Sequence, residues 1–115
     1  MDTYKRRHSL EQRTNECIRI KNKHPDKVPI IVCKAKGCTL GDIDKSKFLT
    51  PKDLTLGQFI YVVRKRIKLN PEEALFILIN NMIIPAKSTL SEIYDSNKDD
   101  DGFLYIIYTS ENTFG

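Results

Sequence analysis

A short apolar strand followed at once by an amphipathic helix constrains the fold of this chain more than any other stretch. The segment 45–67 reads KSKFLTPKDLTLGQFIYVVRKRI. Its second half repeats apolar residues at helical spacing behind a capping box of Thr55 and Gln58, so we predict a helix there. Residues 47–50 alternate and are stopped by Pro51, which confines them to a sheet edge or a strand end. An edge strand leaves backbone N–H and C=O groups unpaired, and a protein can use these groups to add a partner's peptide as an extra strand.

Length and composition fit a single domain. The chain has 115 residues, of which 40% are hydrophobic and 9% aromatic, enough for one compact core. No apolar run approaches the roughly 20 residues that a membrane-spanning helix needs. The N-terminal MDTYKRRHSL also lacks the apolar segment of a secretory signal. We therefore expect a cytoplasmic protein, and we expect it to be a monomer.

The net charge of +4 is concentrated at the N-terminal end, where residues 1–36 hold ten Lys or Arg against four Asp or Glu. A cluster such as Lys5-Arg6-Arg7 can contact an acidic surface, but such runs most often form a solvated face. No nucleic-acid-binding motif accompanies the cluster, so we expect no nucleic acid among the partners.

The sequence contains no motif for catalysis or metal binding. Its three cysteines lack the spacing of a metal site, and we expect them to be reduced thiols. Its two histidines lie near no nucleophile motif, and there is no glycine-rich phosphate loop. The carboxylates at 99–101 lack the further ligands of a calcium loop. We therefore predict that the protein is not an enzyme, with no catalytic residue, no metal and no cofactor.

Hydrophobic patterns and turn signals predict the order of the elements. These are a helix over 10–23, strands over 28–33 and 47–50, the central helix from 56, a strand over 75–79, a short helix from 90 and a strand over 103–108. Two strands, a long helix and two later strands is the order of an α+β, ubiquitin-like β-grasp fold. We expect a helical segment over 1–24 packed on the core, the β-grasp domain over 25–109 and a flexible C-terminal tail over 110–115.

The predicted helix over 10–23 has a thin apolar stripe, which is typical of a helix that packs on a sheet. The stripe consists of Leu10, Cys17 and Ile20. We expect Glu16 to rim a pocket beside Ile20. The basic side chains expected on the wet face are Arg13, Arg19 and Lys21.

The edge strand predicts two hollows, because successive side chains of a strand point to opposite faces. Phe48 and Leu49 should therefore face different sides. The hollow on the side of Leu49 would be lined by Ile20, Pro29, Ile31, Leu49 and Phe103. The hollow on the other side would be lined by Phe48, Pro51, Leu54 and Val62 or Val63. From periodicity alone, these residues also fit a role confined to core packing.

Three segments of the chain resemble a known family. IDKSKFLTPKDLTLGQFIYVVRKRI, ALFILINN and DDDGFLYIIYTSENTFG are similar to the autophagy ubiquitin-like modifiers, the autophagy-related protein eight family that includes GABARAP. The similarity runs from Tyr4 to Gly115. It implies a modifier that acts in autophagosome formation and is joined by an amide to phosphatidylethanolamine of the autophagosome membrane. The implied enzymes are a processing protease, an activating enzyme and a conjugating enzyme.

The resemblance also implies roles for the last residues. Gly115 would be the conjugated residue and Phe114 its recognition neighbour. A terminal Gly suits this role because it has the least steric demand when a carboxylate must enter a narrow active site. No residue follows Gly115 in this sequence, so we expect either the trimmed form or a gene without an extension.

The resemblance implies further that cargo receptors and adaptors bind through aromatic-x-x-aliphatic peptides added to the edge strand. The matching aromatic pocket is Glu16, Ile20, Pro29, Ile31, Lys47, Leu49 and Phe103. The matching aliphatic pocket is Phe48, Thr50, Pro51, Leu54, Phe59, Val62, Val63 and Arg66. Lys45 and Lys47 would pair with acidic residues that flank the peptide's aromatic side chain. A second surface for helical motifs would fall on Phe76 and Leu78.

Some positions depart from the family pattern. His8-Ser9-Leu10 stands where Tyr-Pro-Phe is common, so the short first helix should be mobile or differently docked. Thr50 stands where Val is common, which makes the aliphatic pocket more polar. Leu78 breaks an aromatic pattern on the second surface.

Two other functions stay open. One is a modifier joined to a lysine of a protein, and the other is an unconjugated adaptor bound to microtubules through the basic N-terminus.

Overall fold

The computed structural model describes residues 3–110. Within this range the elements follow the predicted order, with a short helix added at the start. They are α1 (Thr3–Arg7), α2 (Leu10–Lys23), β1 (Lys27–Lys34), β2 (Lys47–Pro51), α3 (Leu56–Arg66), β3 (Phe76–Leu78), α4 (Leu90–Asn97) and β4 (Leu104–Thr109).

Capping residues set the starts of α2, α3 and α4. Ser9, Thr55 and Thr89 each accept a hydrogen bond from the backbone N–H three residues on, and the side chain at that third position bonds back to the cap. Both bonds of each capping box satisfy N–H groups that the first helical turn leaves without partners. The predicted helix starts are therefore confirmed.

The sheet has the strand order β2-β1-β4-β3. β1 pairs with β4 in parallel, while β2 pairs with β1 and β3 pairs with β4 in antiparallel fashion. A parallel central pair needs a crossover, and α3 lies within that connection. The arrangement is the predicted β-grasp, and β2 is an edge strand as predicted.

The two faces of the sheet bury different cores. The larger core includes Phe59 of α3 and Leu90 of α4, both fully buried. On the other face, α2 packs through Cys17 and Ile20 against Phe103. Because helices cover both faces, β1 is buried on both sides, as its continuous apolar run predicted.

Two expectations about apolar segments were wrong. Leu10 is 51% exposed, because α2 meets the sheet at Cys17 and Ile20, about two turns beyond the start of the helix. The predicted strand over 75–79 is reduced to β3, which has three residues at the second sheet edge. It ends early because Asn80 and Asn81, with φ of +50° and +62°, form a tight turn bridged by Ile79 and Met82.

α1 is docked on the smaller core, through Tyr4, rather than projecting away. The Tyr4 ring stands edge-on to Phe103 at 5.6 Å between centroids, and Lys5 Nζ lies 2.6 Å from Asp99 Oδ1. Lys47 Nζ lies 5.3 Å from the centre of the Tyr4 ring. Of the two arrangements expected for the first helix, the described residues therefore show a docked one.

Candidate functional site

The candidate site is built on the outer edge of β2. On its inner side β2 pairs with β1, where Pro29 lies opposite Leu49 and Ile31 lies opposite Lys47. Within residues 3–110, no strand pairs with the outer side of β2. The backbone groups of this outer side are therefore available to an extended peptide.

Side chains alternate along β2 as predicted. Phe48 and Thr50 are 7% and 6% exposed and face α3, whereas Leu49 is 38% exposed and faces α2. The edge thus presents a different surface on each side. On the side of α2 the surface is an open hollow, and on the side of α3 it is closely packed.

The hollow between α2 and β2 has a volume of about 390 Å³. Its lining is Glu16, Arg19, Ile20, Lys23, His24, Lys45, Lys47, Phe48 and Leu49. The structure therefore brings together Glu16, Ile20, Lys47 and Leu49 of the predicted aromatic pocket. Sequence reasoning missed Arg19 and Lys23 as lining residues, although Arg19 lies three residues after Glu16 and Lys23 three residues after Ile20, which places them on the same face of α2.

The other residues predicted for the aromatic pocket lie deeper. Pro29 is buried opposite Leu49. Ile31 and Phe103 are fully buried, and they pack with Ile20 and Cys17 in the smaller core. These three residues do not line the hollow, and they act as support for the side chains that do.

Glu16 joins the two walls of the hollow. Its carboxylate accepts hydrogen bonds from Arg19 Nε at 2.7 Å and from Lys47 Nζ at 3.0 Å. These two bonds, that of Arg19 first, lower the pKa of Glu16 to about 2, so the carboxylate is ionised at neutral pH. The lining contains four cations, which are Arg19, Lys23, Lys45 and Lys47, against this one carboxylate, so the rim is positively charged overall.

On the other side of β2, the predicted aliphatic pocket is filled by its own side chains. Phe59 and Val63 are fully buried, and the Phe48 ring meets Phe59 edge-on at 5.4 Å. The Arg66 guanidinium lies 5.8 Å from the centre of the Phe48 ring. Leu54 and Val62 are partly buried against this core, Thr50 is buried and Pro51 is exposed.

A separate shallow hollow lies beside this packed region. Its lining is Asp44, Tyr61, Val62, Lys65, Arg66 and Lys68, so it includes Val62 and Arg66 of the predicted aliphatic pocket.

Comparison with known proteins identifies the family of this chain. The family model described as "Autophagy protein Atg8 ubiquitin like" matches residues 12–115. The chain belongs to the Atg8 family. It is 51% identical to Autophagy-related protein 8d of Arabidopsis thaliana over 115 residues, which cover 100% of this chain and 96% of the relative. It is 54% identical to Autophagy-related protein 8B of Oryza sativa subsp. indica over 113 residues, which cover 98% and 95% of the two chains.

A solved structure of the Atg8 family supports the same assignment. The crystal structure of Trypanosoma brucei ATG8 matches with a TM-score of 0.90 at 43% identity, covering 100% of this chain and 99% of that one. The resemblance drawn from the sequence and the ubiquitin-like fold are thus confirmed. The chain is a ubiquitin-like autophagy protein, and its partners belong to the autophagy machinery.

The buried carboxylate of Asp101 holds α2, which forms one wall of the hollow. Sequence reasoning missed this role. Asp101 is 2% exposed and accepts hydrogen bonds from Arg13 Nη1 and from the Phe103 N–H, both at 2.8 Å, and from the Tyr105 hydroxyl. Asp99, beside it, pairs with Lys5. Burial opposes the ionisation of Asp99, but the bonds from Lys5 and the Asp101 N–H outweigh burial and lower the pKa of Asp99.

Two basic side chains of α2 that were expected to face solvent, those of Arg13 and Lys21, instead reach partners on other elements. The Arg13 side chain is only 12% exposed because it reaches Asp101. Lys21 Nζ donates to the Tyr94 hydroxyl at 3.3 Å and lies 4.5 Å from the centre of its ring. Both predictions were wrong because long basic side chains can lay their stems on apolar surface and reach a distant partner. Arg19, with a side chain 63% exposed, does face solvent.

The second surface expected from the family lies on β3, at the other edge of the sheet. Phe76 is half-buried and Leu78 is 8% exposed. Met82 and Ile83, just beyond the Asn80-Asn81 turn, are 50% and 54% exposed. The sequence analysis did not select these two residues, and the role of this surface stays a prediction.

The conjugation residues predicted from the family, Phe114 and Gly115, lie outside the described residues. Of the helices described, none has both the length and the apolar character needed to cross a bilayer.

Proposed function

We propose that this Atg8 family protein is a lipid-conjugated modifier that recruits cargo receptors and adaptors to the autophagosome membrane. Gly115 is the conjugated residue, and the outer edge of β2 binds aromatic-x-x-aliphatic peptides. The observation that carries the proposal is the half-exposed Leu49 next to the unpaired edge, above a hollow that has a basic rim.

This arrangement supports peptide binding. An added strand supplies the backbone partners that the outer side of β2 lacks, while its aromatic side chain enters the hollow beside Leu49 and Ile20. Lys45 and Lys47 then face acidic residues that flank the aromatic side chain. Each exposed ion pair contributes only about 0.2–1 kcal/mol, so the basic rim selects among partners more than it sets the affinity.

On the other side of β2, a second anchor of the peptide settles against Phe48 and α3. Because Phe48, Phe59 and Val63 already pack together, an aliphatic side chain enters only if the Phe48 ring shifts away from Phe59. Arg66 and Lys45, whose charges lie over the face of Phe48, border the same place. The peptide's affinity is therefore set mainly by the aromatic anchor.

Conjugation is supported by the family membership and by the terminal sequence ENTFG. An activating enzyme and then a conjugating enzyme hold the Gly115 carboxyl as a thioester, which the amine of phosphatidylethanolamine attacks to form the amide and release the thiol. Two acyl chains, at about 0.8 kcal/mol per buried CH₂, anchor a folded domain stably to a membrane.

Mass spectrometry of the C-terminal peptide tests the conjugation. We expect membranes from starved cells to contain this peptide with phosphatidylethanolamine on Gly115, and a variant that lacks Gly115 to show no adduct. A free carboxylate in every fraction would contradict conjugation and favour the unconjugated adaptor. An amide to a lysine of another protein would favour the protein modifier instead.

Replacing Leu49 tests the peptide site. Leu49→Ala should weaken an aromatic-x-x-aliphatic peptide by about 1–3 kcal/mol in calorimetry, because it removes apolar contact at the mouth of the hollow. The melting temperature should change little, since Leu49 is 38% exposed. Ile18→Ala is the matched control, because Ile18 is a 53% exposed aliphatic residue of α2 that does not line the hollow. Equal affinities of the two variants would rule out the assigned site.

A further inference from the structure

The hollow between α2 and β2 has a second charged end, at the last residues of α2. Glu16, Ile20 and His24 line the hollow at intervals of four residues, so they form one stripe along the helix. Lys23, next to His24, lines the hollow as well. Ile20 therefore lies between two charged groups of residues, about one helical turn from each.

These two ends of the hollow lie toward opposite ends of β2. Lys47, the first residue of β2, donates a hydrogen bond to Glu16 at 3.0 Å. The His24 carbonyl accepts a hydrogen bond from the Lys27 N–H at 3.1 Å, and Lys27 pairs with Pro51, the last residue of β2. A peptide strand added along the outer side of β2 therefore passes both ends of the hollow.

The basic groups at the second end are available to a ligand. Lys23 is exposed and His24 is half-buried, and within residues 3–110 the side chain of neither forms a hydrogen bond or an ion pair. The carboxylate of the hollow, that of Glu16, is bonded to Arg19 and Lys47 at the first end. The second end therefore attracts a negative charge that the hollow itself does not supply.

The dimensions of a strand bring a peptide side chain to this end. Two residues of an extended strand rise about 6.6 Å, and their side chains point to the same side. Four residues of a helix rise about 6 Å, which is the step from Ile20 to His24. If the aromatic anchor lies beside Ile20 and Leu49, the side chain two positions further toward Pro51 is therefore level with His24. This step rests on the proposed peptide-binding function.

We propose that Lys23 and His24 form a subsite for an acidic side chain, two positions from the aromatic anchor on the side toward Pro51. The partner class is a peptide with Asp or Glu at this position. A lysine ammonium keeps its charge at neutral and mildly acidic pH, whereas an imidazole ordinarily gains its charge between pH 8 and pH 5. The subsite therefore holds the acidic residue more strongly at mildly acidic pH.

The other charged groups near His24 do not change their charge over this pH range. They are Glu16, Arg19, Lys23, Lys45 and Lys47 of the hollow, with Asp26 and Lys27 of the turn after α2. Carboxylates ordinarily titrate near pH 4 and Lys and Arg above pH 10. The bonds from Arg19 and Lys47 lower the pKa of Glu16 to about 2, so this carboxylate stays ionised. A pH dependence of binding at this end therefore reports on His24.

Calorimetry at about pH 7.5 and about pH 5.5 tests the proposal with three peptides that share one aromatic-x-x-aliphatic core. One peptide has Gln both two positions before and two positions after the aromatic anchor, and the other two peptides each replace one of these Gln residues by Glu. We expect one Glu peptide to gain roughly 1.4- to 5-fold in affinity over the Gln peptide on acidification, the range of one exposed ion pair. The other Glu peptide meets Lys45 and Lys47, so its advantage should be the same at both pH values.

His24→Gln should abolish the gain on acidification. This variant should fold like the wild type, because the cap of α2 is a backbone bond from the His24 N–H to the Ile20 carbonyl at 2.7 Å. His8→Gln is the matched control, because it replaces the other histidine of the chain, which does not line this hollow. The gain should persist in His8→Gln.

The outcomes separate this inference from the proposed function. If the peptides bind but acidification favours neither Glu peptide, or both, the inference is wrong and the peptide site stands. A gain that survives in His24→Gln overturns the inference as well. If none of the peptides binds the wild type at either pH, the proposed function fails and the inference fails with it.

Discussion

Asp101→Asn is expected to lower the free energy of unfolding by about 3 kcal/mol. The substitution keeps the size of the side chain but removes its charge, which leaves the largely buried Arg13 without its ion-pair partner at 2.8 Å. Removing one member of a buried pair typically costs about 3–5 kcal/mol. The lower end applies here because Asp99, 3.8 Å from Arg13, offers the cation a weaker second partner. Urea denaturation measures the difference.

The neighbouring carboxylate is the matched control. Asp100 is exposed, and Asp100→Asn should change the free energy of unfolding by no more than about 0.5 kcal/mol, as is usual for a surface substitution. The two variants have the same change in net charge. Equal destabilisation by both would mean that general charge effects, rather than the Arg13 contact, explain the loss.

The Asp101 contacts bear on the proposed function because they hold one wall of the proposed peptide site. Arg13 belongs to α2, and Glu16, Arg19, Ile20 and Lys23 of the same helix line the hollow. Glu16 then joins α2 to Lys47 of β2. Asp101 thus holds α2 from the side of the turn before β4, and the Glu16–Lys47 pair links α2 to β2 across the hollow.

Local patterns in the sequence predicted the parts of the site that depend on neighbouring residues. The capping box of Thr55 and Gln58 sets the start of α3, and the alternation of Phe48 and Leu49 sets the two faces of β2. Pro51 indicated an edge strand, and the structure shows one. Each of these features is decided within a few residues, so periodicity and capping suffice to find it.

Features that depend on distant contacts could not be predicted in this way. Arg13 and Asp101 are 88 residues apart, and no local pattern indicates that they meet. Ile31 and Phe103 were expected to line the hollow, but how deep they lie depends on how α2 packs across the sheet. Within residues 3–110 the buried Thr50 hydroxyl has no hydrogen-bond partner, and this too follows only from knowing every atom around it.

Gly102→Ala is expected to lower the free energy of unfolding by about 3 kcal/mol. Gly102 has φ of +93°, where an L side chain is strained by roughly 1–3 kcal/mol. A Cβ added there would also lie 2.7 Å from Cys17 Sγ. Cys17 is 2% exposed in the smaller core, and burial raises the pKa of its thiol to about 11, so it is an uncharged, closely packed group. Relieving the clash must rotate the Cys17 side chain within the packed core or move α2 or the turn before β4, and such overpacking adds about 1–3 kcal/mol.

A second glycine separates the two causes of this loss. Gly37 has φ of +79°, but a Cβ there would meet nothing within 4 Å, so Gly37→Ala should show only the backbone strain of about 1 kcal/mol. Cys17→Ala removes the clashing sulfur atom. Adding Gly102→Ala to Cys17→Ala should therefore cost less than adding it to the wild type, by the share due to the steric contact. Thermal and urea denaturation of the four variants measure these differences. Equal costs of Gly102→Ala in the two backgrounds would show that backbone strain alone, and not the approach of α2 to the turn, makes glycine necessary at this position.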